Sequence, residues 1–492
     1  MGNPSCTTDR LASEHEALGR EVARLISEYV RCLEETRVCS TATPQELEKL
    51  FDEPLPVEGS APDELLARFA RDILPHAMNI PSPRYYGLFN PTPLPIAVWA
   101  DALCSAINQN GAAWRNSPSA SVVETRVIRW LCELAGYDAK AFGTLTSGGS
   151  EANLVALKCA RDRVERTREQ GVRVAGDLVV YASEQCHYSF DKSVDILGLG
   201  RRALRRIESD ERFHVRVDRL RHAISEDLAQ GRTPLAVVGV AGGTSTGAVD
   251  PLDQLADVAE EHGLWFHVDA AYGGALLFSD AHRERLRGIE RAESITIDPH
   301  KWMFVPFACA AVLVRDGKSV LRASFDTTPE YMSEARGGID TEYDFHRYGQ
   351  LGTRRFNALK LWMALKSLGK RGYAEIIERQ IELTRYFAAR LDALRDFRRV
   401  GEVETAVCCF RFTPARLGSC DGAAIDRLQQ ELQQRIERSG RAWFASTVLH
   451  GRRALRVNIN SFLTAQQHVD ELVETLESEG SKLIGEIAAD AS

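Results

Sequence analysis

The chain has 492 residues, of which 44% are hydrophobic and 26% charged, enough for a sizeable core and more than one folding unit. Its 61 Lys and Arg residues against 69 Asp and Glu residues give a net charge of −8, which provides no basic surface for nucleic acid. The sequence has no apolar run of membrane-spanning length, and its eleven cysteines include no C-x-x-C pair, so we expect a cytoplasmic protein with reduced thiols, no membrane partner and no metal site.

The first ninety-five residues predict helices. Residues 11–36 place apolar side chains on one helical face, namely Leu18, Val22, Leu25, Ile26, Tyr29, Val30 and Leu33. Residues 43–46 (TPQE) combine an N-cap, a proline at the first helical position and a capping-box glutamate, and residues 60–63 (SAPD) repeat this pattern with a shorter acid. We therefore predict an N-terminal helical segment over residues 1–95.

Residues 81–120 lack periodicity and are rich in Pro, Asn and aromatic residues. Loops that carry many amide and aromatic side chains often form binding surfaces. Asn90, Asn110 and Arg115 lie in this stretch, which is therefore a plausible binding surface. The alternative is that these loops only pack where the chain crosses between domains.

The sequence Ser147-Gly148-Gly149-Ser150 follows a short apolar run and opens a long predicted helix. Two glycines at a helix start leave backbone N–H groups free to bind a phosphate. Gly149 and Ser150 are the candidates for this role. The same sequence is also a good helix N-cap, so this motif alone does not decide between the two functions.

Strand-like and helix-like segments alternate from residue 177 onward. The predicted elements are a strand at 177–182, a helix from 187, a strand near 204, a helix from 217, a strand at 235–240, a helix from 251 and a strand at 264–269. Such alternation is typical of a mostly parallel sheet with helices on both faces. A second alternation from about residue 400 predicts a small C-terminal α/β unit.

Two strand ends carry the residues that suggest a cofactor. The apolar run 263–268 ends in Asp269, and the run 294–297 breaks at Pro299 and presents Lys301. The carboxyl ends of strands are where open α/β sheets bind ligands. A lysine that forms a Schiff base and an aspartate that keeps the pyridine nitrogen protonated are what pyridoxal 5′-phosphate (PLP) requires. The alternative for Lys301 is an ordinary surface lysine.

The motifs HVDAAYGG (His267 to Gly274) and DPHKW (Asp298 to Trp302) resemble those of the group II PLP-dependent amino-acid decarboxylases, which include glutamate, aromatic amino-acid and diaminobutyrate enzymes. The resemblance extends from about residue 60 to about residue 465. It implies an α/β fold of PLP fold type I, similar to aspartate aminotransferase. The implied units are a large PLP-binding domain at 96–375 and a small C-terminal domain at 376–492. The family also implies a homodimer in which the N-terminal segment wraps the partner subunit.

The resemblance also implies roles for residues around the cofactor. His187 would stack on the pyridine ring, and the small Ala271 would cover its opposite face. Thr246, in the glycine-rich loop 242–247, is a secondary candidate for a hydroxyl near the cofactor, and His300 lies beside Lys301 in the same motif. For His187 alone, a helix cap is as good an interpretation as a ligand contact.

By the same resemblance, Asn90, Asn110 and Arg115 would line the substrate pocket, and two further residues would act on the substrate. Residues 324–350 predict a mobile lid, and Tyr331 matches the tyrosine that returns a proton to the substrate carbon after carbon dioxide leaves. Arg456 lies on a predicted strand, where the family would make it the clamp for the substrate α-carboxylate. The alternatives are a loop aromatic that packs on the lid and an exposed, salt-bridged arginine.

His187, Lys301 and a lid tyrosine together favour decarboxylation to an amine. Aromatic amino-acid decarboxylases have apolar residues where this chain has the polar stretch 108–116, so we expect a small polar or acidic substrate. Arg115 would repel an ammonium side chain. The alternatives are an aromatic-L-amino-acid decarboxylase, an oxygen-dependent aldehyde synthase, or another fold type I enzyme such as an aminotransferase.

Overall fold

The computed structural model describes residues 14–327, 341–415 and 422–490. Its strands are β1 Tyr85–Tyr86, β2 Phe142–Thr146, β3 Leu178–Ser183, β4 Leu204–Ile207, β5 Thr233–Val240, β6 Trp265–Asp269, β7 Ser294–Ile297, β8 Ala310–Val314, β9 Phe397–Val400, β10 Val407–Phe412, β11 Trp443–Leu449 and β12 Arg452–Asn458. Its helices are α1 His15–Arg31, α2 Pro44–Phe51, α3 Pro62–Arg68, α4 Pro95–Ile107, α5 Pro118–Leu134, α6 Gly149–Asp162, α7 Thr167–Gln170, α8 Ser189–Ile196, α9 Val217–Ala229, α10 Leu252–His262, α11 Gly317–Phe325, α12 Ala358–Asp392, α13 Gly422–Ser439 and α14 Gln466–Asp490. Among these helices, none is both long and apolar enough to cross a bilayer.

The larger sheet has the strand order β2-β8-β7-β6-β5-β3-β4. Neighbouring strands in this sheet are parallel, except that β8 is antiparallel to both β2 and β7. Strands β3, β6 and β7 are buried along their whole length, as expected for a sheet that helices cover on both faces. The predicted mostly parallel sheet is confirmed.

The register of β6 and β7 determines where the two candidate cofactor residues meet. The two strands are parallel neighbours, and Asp269 lies opposite Thr296. Both strands therefore end at the same edge of the sheet, and the loop after β7 carries Lys301 back toward the end of β6. This placement follows from the topology before any side-chain contact is considered.

The smaller sheet has the order β1-β11-β12-β10-β9. Strand β1 comes from the N-terminal part of the chain and pairs in parallel with β11, with Tyr85 opposite Trp443. Helix α12 joins the two cores, because Leu361 and Tyr373 lie in the large core and Phe387 and Leu391 lie in the small one. This helix is interrupted at Gly369 (φ 63°), and the predicted boundary at 375/376 falls within it.

The N-terminal helices show one correct and one wrong cap prediction. Thr43 Oγ1 accepts a hydrogen bond from the backbone N–H of Glu46, and the Glu46 carboxylate accepts from that of Thr43, so the capping box is confirmed. Helix α3 instead has Ala61 as its N-cap and no side-chain cap. The predicted cap from Ser60 is wrong because Pro62 is the first helical residue, which places Ser60 one position too far upstream.

Candidate active site

A cavity of about 280 Å³ lies at the carboxyl edge of the large sheet. Loops that follow β2, β3, β5, β6 and β7 form most of its wall. The predicted site residues that line it are Gly149, Ser150, His187, Asp269, Ala271, His300 and Lys301. The structure thus brings together in one cavity residues that are up to 152 positions apart in the sequence, as Gly149 and Lys301 are.

The start of helix α6 forms one end of the cavity. The first N–H groups of an α-helix have no partner within the helix, and here they belong to the Gly148-Gly149-Ser150 turn. A Cβ atom on Gly149 would lie 2.6 Å from Oδ2 of Asp298, whereas one on Gly148 would meet nothing within 4 Å. The chain therefore needs glycine at position 149, and the turn has the geometry of an anion site.

The Lys301 amine lies at the centre of the cavity wall. Its Nζ is 3.1 Å from Oδ2 of Asp298 and 5.6 Å from the ring centre of Phe89. The side chain of Asp298 is buried, and its Oδ1 has no hydrogen-bond partner among the described residues. Lys301 is thus held beside a carboxylate and an aromatic ring, which is not the environment of an ordinary surface lysine.

Asp269 is buried at the floor of the cavity. Its Oδ2 accepts from Nδ2 of Asn153 at 3.0 Å, and its Oδ1 accepts from the backbone N–H of Ala271 at 3.2 Å. Each carboxylate oxygen therefore has its own donor, which fixes the plane of the group.

His187 faces the cavity just before helix α8. Its Nδ1 lies 2.9 Å from Oγ of Ser189 and 3.3 Å from the backbone N of Ser189. Burial lowers the pKa of His187 below its ordinary value, and this effect outweighs the opposing attraction of Asp269. The imidazole is therefore neutral at neutral pH.

His300 and the glycine-rich loop complete the wall. Nδ1 of His300 lies 2.7 Å from the carbonyl oxygen of Cys309, and burial lowers the pKa of His300. In the glycine-rich loop, Thr244 lines the cavity, whereas the hydroxyl of Thr246 accepts from the backbone N–H of Ala248 within its own turn. Sequence reasoning chose Thr246 and missed Thr244, which lies two positions nearer the end of β5.

Arg456, on β12, does not line the cavity but lies against Phe89, which does. Its side chain is 3% exposed, and its Nη1 donates to the carbonyl oxygen of Gly87 at 2.8 Å. Its Nε and Nη2 are buried without a hydrogen-bond partner among the described residues. The guanidinium carbon is 4.7 Å from the ring centre of Phe89, which itself lines the cavity. Two unsatisfied donors of a buried guanidinium are a strong indication of a missing anionic partner.

The other substrate candidates lie elsewhere. Asn110 uses its side-chain oxygen to accept from the backbone N–H groups of Ala112 and Arg354, so it holds its own loop in place. Arg115 is exposed on the short 3₁₀-helix Trp114–Asn116, and Asn90 is half-buried next to Phe89. Tyr331 lies outside the described residues, so its predicted role stays a prediction.

Sequence reasoning missed a buried polar group in the wall of the cavity. Asn153 lies on the second turn of α6 and contacts both Asp269 and Ser189. A polar residue on the inward face of an otherwise apolar helix stretch was the signal that could have found it.

Known proteins resemble this chain in sequence and in fold. Residues 44–413 match the family model described as the pyridoxal-dependent decarboxylase conserved domain. The chain is 32% identical over 461 residues to an aromatic-L-amino-acid decarboxylase of Bacillus atrophaeus, covering 93% of each chain. It is 31% identical over 456 residues to the cysteine sulfinic acid decarboxylase of Mus musculus, covering 91% of this chain and 92% of the relative. Among solved structures, Oryza sativa TDC with PLP and tryptamine matches with a TM-score of 0.90 at 28% identity, covering 98% of this chain and 100% of that one.

Proposed function

Since the chain belongs to the family of pyridoxal-dependent decarboxylases, and is therefore a PLP-dependent enzyme that decarboxylates an amino acid, we propose that its substrate is a small polar or acidic L-amino acid. The products are the corresponding amine and carbon dioxide. Membership of the family confirms the resemblance found in the sequence, and the structural match confirms the predicted type I fold. The substrate class, the roles of individual residues and the dimer are our proposals.

The residues present fit the cofactor. The cavity combines an anion site at the start of α6, a lysine amine and a buried carboxylate, and a Cβ at position 149 would collide with the Asp298 carboxylate beside that lysine. We assign Gly149 and Ser150 to the phosphate, Asp269 to the pyridine nitrogen and Lys301 to the aldehyde carbon. When bound, PLP supplies an electron sink for the bond broken at the substrate α-carbon.

The chain's own residues orient the reactants. Asn153 and the Ala271 N–H hold the Asp269 carboxylate, and Asp298 holds the Lys301 amine. His187 and Ala271 are assigned to opposite sides of a planar slot, in which the small Ala271 leaves room for a ring. The rings of Phe89 and Tyr272 stack at 3.8 Å in the wall of the cavity, and Arg456 lies against Phe89.

The observation that carries the proposal is the unsatisfied guanidinium of Arg456. Any amino-acid substrate brings an α-carboxylate, and a carboxylate accepts the parallel N–H bonds that a guanidinium presents. Burial lowers the pKa of Arg456 and raises the cost of leaving it without a counter-charge. A substrate carboxylate would remove that cost, so Arg456 favours binding of a carboxylated ligand.

The preference for a polar or acidic side chain rests on the stretch 108–116. It offers amide and guanidinium groups together with the small, buried Ala112 and Ala113, and it has no large aromatic wall apart from Trp114. An aromatic side chain would offer no acceptor to the Arg115 guanidinium. That the relatives include a cysteine sulfinic acid decarboxylase and an acidic amino acid decarboxylase of Bos taurus supports an acidic substrate.

The exposed apolar side chains of the first quarter of the chain support a homodimer. Within the described residues, most exposed large apolar side chains lie between positions 22 and 122, including Leu55 at 91% and Val57 at 95% exposure. Helix α4 contributes Ile96, Trp99, Leu103 and Ile107 to this surface. So much exposed apolar surface in one region marks an interface. Arg115 lies between α4 and α5, so we propose that it is presented to the cavity of a second copy.

We also propose a cytoplasmic location. The described cysteines are all free, and all of them except Cys32 are buried. Thiols that stay reduced are typical of a reducing compartment. Subcellular fractionation of the native host would test this directly.

The reaction is tested by mass spectrometry of the products formed when PLP-loaded protein is incubated with a pool of L-amino acids that includes acidic, sulfinic, small polar and aromatic members. An amine lighter than a small polar or acidic substrate by one carbon dioxide supports the proposal. An amine from an aromatic substrate alone would overturn the substrate class. Aldehyde with ammonia and hydrogen peroxide, or keto acid, would show that this chain departs from its family's reaction.

The role of Arg115 is tested with Arg115→Ala and Arg115→Lys. We expect the KM for an acidic substrate to rise at least about tenfold in the alanine variant and less in the lysine variant, because lysine keeps the charge. Arg126, on α5, offers a control arginine. An unchanged KM in Arg115→Ala would remove Arg115 from the site.

The dimer is tested by sedimentation velocity. Leu103→Asp places a charge on the proposed interface and should shift the protein toward the monomer. Leu228→Asp is a matched control, because Leu228 is 51% exposed on α9 and Leu103 is 50% exposed on α4. Equal sedimentation of the two variants would contradict the proposed interface.

A further inference from the structure

A buried chain of hydrogen bonds runs from Trp265 through the large sheet to the cavity. Asn153 is at its centre. Its Nδ2 donates to Oδ2 of Asp269 at 3.0 Å and to Oγ of Ser189 at 3.1 Å, and its Oδ1 lies 2.7 Å from Oγ1 of Thr296 and 3.1 Å from Nε2 of His267. All of these side chains are buried, so no bulk water competes for the bonds.

The direction of each bond follows from which groups can donate. An ionised carboxylate only accepts, so the Asn153 atom that faces Asp269 must be the nitrogen. The amide oxygen therefore points the other way and accepts from Thr296 and from His267. His267 must then carry its proton on Nε2.

The remote end of the chain agrees with this assignment. Burial lowers the pKa of His267 to about 4, so its ring is neutral and its Nδ1 is bare. Oγ of Ser294 lies 2.8 Å from that nitrogen and donates to it, while the same oxygen accepts from the indole N–H of Trp265 at 2.8 Å. Every proton from Trp265 to Asn153 therefore has one possible position.

The cavity end is fixed in the same way. Ser189 Oγ accepts the second Nδ2 proton of Asn153, so its own hydroxyl proton is available for Nδ1 of His187 at 2.9 Å. The backbone N–H of Ser189 also points at Nδ1, at 3.3 Å. Two donors converge on that nitrogen, so it is an acceptor, and the proton of the neutral ring lies on Nε2.

We propose that Asn153 is a positioning residue that fixes the Asp269 carboxylate and, through the hydroxyl of Ser189, keeps the proton of His187 on Nε2, so that His187 acts in the cavity as a hydrogen-bond donor. One amide thus orients both His187, assigned to a side of the cofactor ring, and Asp269, assigned to its pyridine nitrogen. This inference rests on the proposed placement of His187 at the cofactor, but the hydrogen-bond chain exists without it.

The experiment measures the tautomer directly. Solid-state ¹⁵N NMR of the histidine-labelled holoenzyme distinguishes protonated from bare ring nitrogens, and a His187→Gln sample identifies the signals of His187. In the wild-type protein we expect His187 to be present only as the Nε2–H tautomer. Ser189→Ala removes the hydroxyl donor and should produce a measurable Nδ1–H population.

Asn153→Asp provides a sharper variant. The new carboxyl group would contact Asp269, because the replaced Nδ2 lies 3.0 Å from Oδ2 of Asp269, so the two groups share one proton. That proton lies between them, so the oxygen at position 153 can only accept from the Ser189 hydroxyl, which frees the serine oxygen to accept from His187. We therefore expect the Nδ1–H population to be larger in Asn153→Asp than in Ser189→Ala. Ser193→Ala is the control. Ser193 is buried on α8, the helix that carries Ser189, but it does not belong to the chain of hydrogen bonds.

Kinetics separate this role from a merely structural one. In Ser189→Ala, we expect kcat to fall about tenfold with KM changed less than twofold, in line with the loss of one oriented hydrogen bond. An Nδ1–H signal from His187 in the wild-type protein would overturn the inference. So would an unchanged His187 tautomer in both Ser189→Ala and Asn153→Asp. A shifted tautomer with unchanged kcat would instead confirm the hydrogen-bond chain but remove His187 from the proposed catalytic role.

Discussion

A Cβ atom on Gly149 would lie 2.6 Å from Oδ2 of Asp298, the carboxylate that also contacts the Lys301 amine. We predict that Gly149→Ala lowers the affinity for PLP at least about tenfold, because the methyl group displaces either the carboxylate or the first turn of α6. Equilibrium titration of the apoprotein with PLP, followed by absorbance, measures this. Gly352→Ala is the control, since its Cβ would meet nothing within 4 Å and Gly352 does not line the cavity. Equal affinities would show that the turn does not bind the phosphate.

Arg456→Lys should lower kcat/KM about a hundredfold while the affinity for PLP stays the same. Lysine keeps the charge but loses the planar pair of donors that a carboxylate accepts. Steady-state kinetics with the substrate identified by mass spectrometry provide the measurement. Arg453→Lys, a half-buried arginine on the same strand that contacts Ser446, should stay within twofold of wild type. A comparable loss in both variants would point to damage to the sheet.

Glu124 and Arg354 form a buried ion pair at 2.5 Å that joins α5 to the loop of Asn110. We expect Glu124→Gln to lower the free energy of unfolding by about 3 kcal/mol, because it leaves the guanidinium buried without a counter-charge. Glu133→Gln, on the same helix, breaks a partly exposed pair with Arg129 and should cost about 0.5 kcal/mol or less. Urea titrations of the two variants test the contrast, and similar midpoints would contradict it.

His267 makes stability depend on pH. Its pKa is lowered from 6.5 to about 4 by burial, so the unfolded chain binds more protons than the folded chain between these values. Its contribution to stability is complete above pH 6.5 and decreases as the pH falls toward 4. Between pH 7.5 and 5.0 we expect a loss of about 2 kcal/mol. In urea titrations, the free energy of unfolding of the wild-type protein should therefore fall by about 2 kcal/mol more over this pH range than that of His267→Gln. Equal decreases in the two proteins would show that His267 takes up its proton as readily in the folded chain as in the unfolded chain.

The predictions that succeeded from sequence depended on local chemistry. The strand that ends in Asp269 and the strand before Lys301 are short apolar runs with clear ends, and a parallel sheet brings such ends to one edge. The capping box at Thr43 could be predicted because it involves only four consecutive residues and depends on no distant part of the chain.

The remainder depended on contacts between distant parts of the chain. Asn153 acquires its role from Asp269, His267 and Ser189, which lie far from it in the sequence and become neighbours only when the sheet forms. Thr244 rather than Thr246 lines the cavity because of how the glycine-rich loop turns after β5, and three glycines within six residues leave that turn undetermined by local preference. The partner of Asn110, Arg354, could not have been inferred from the residues around either.

The pairing of β1 with β11 has a consequence for biosynthesis. Tyr85 leaves the ribosome more than 350 residues before Trp443, its partner in the small sheet. At ordinary rates of translation, that interval is about 20 to 70 s. During this interval β1, with its two tyrosines, has no partner strand because β11 has not yet been synthesised. The nascent chain therefore presents an unpaired strand edge that chaperones can bind and that can pair prematurely with other chains.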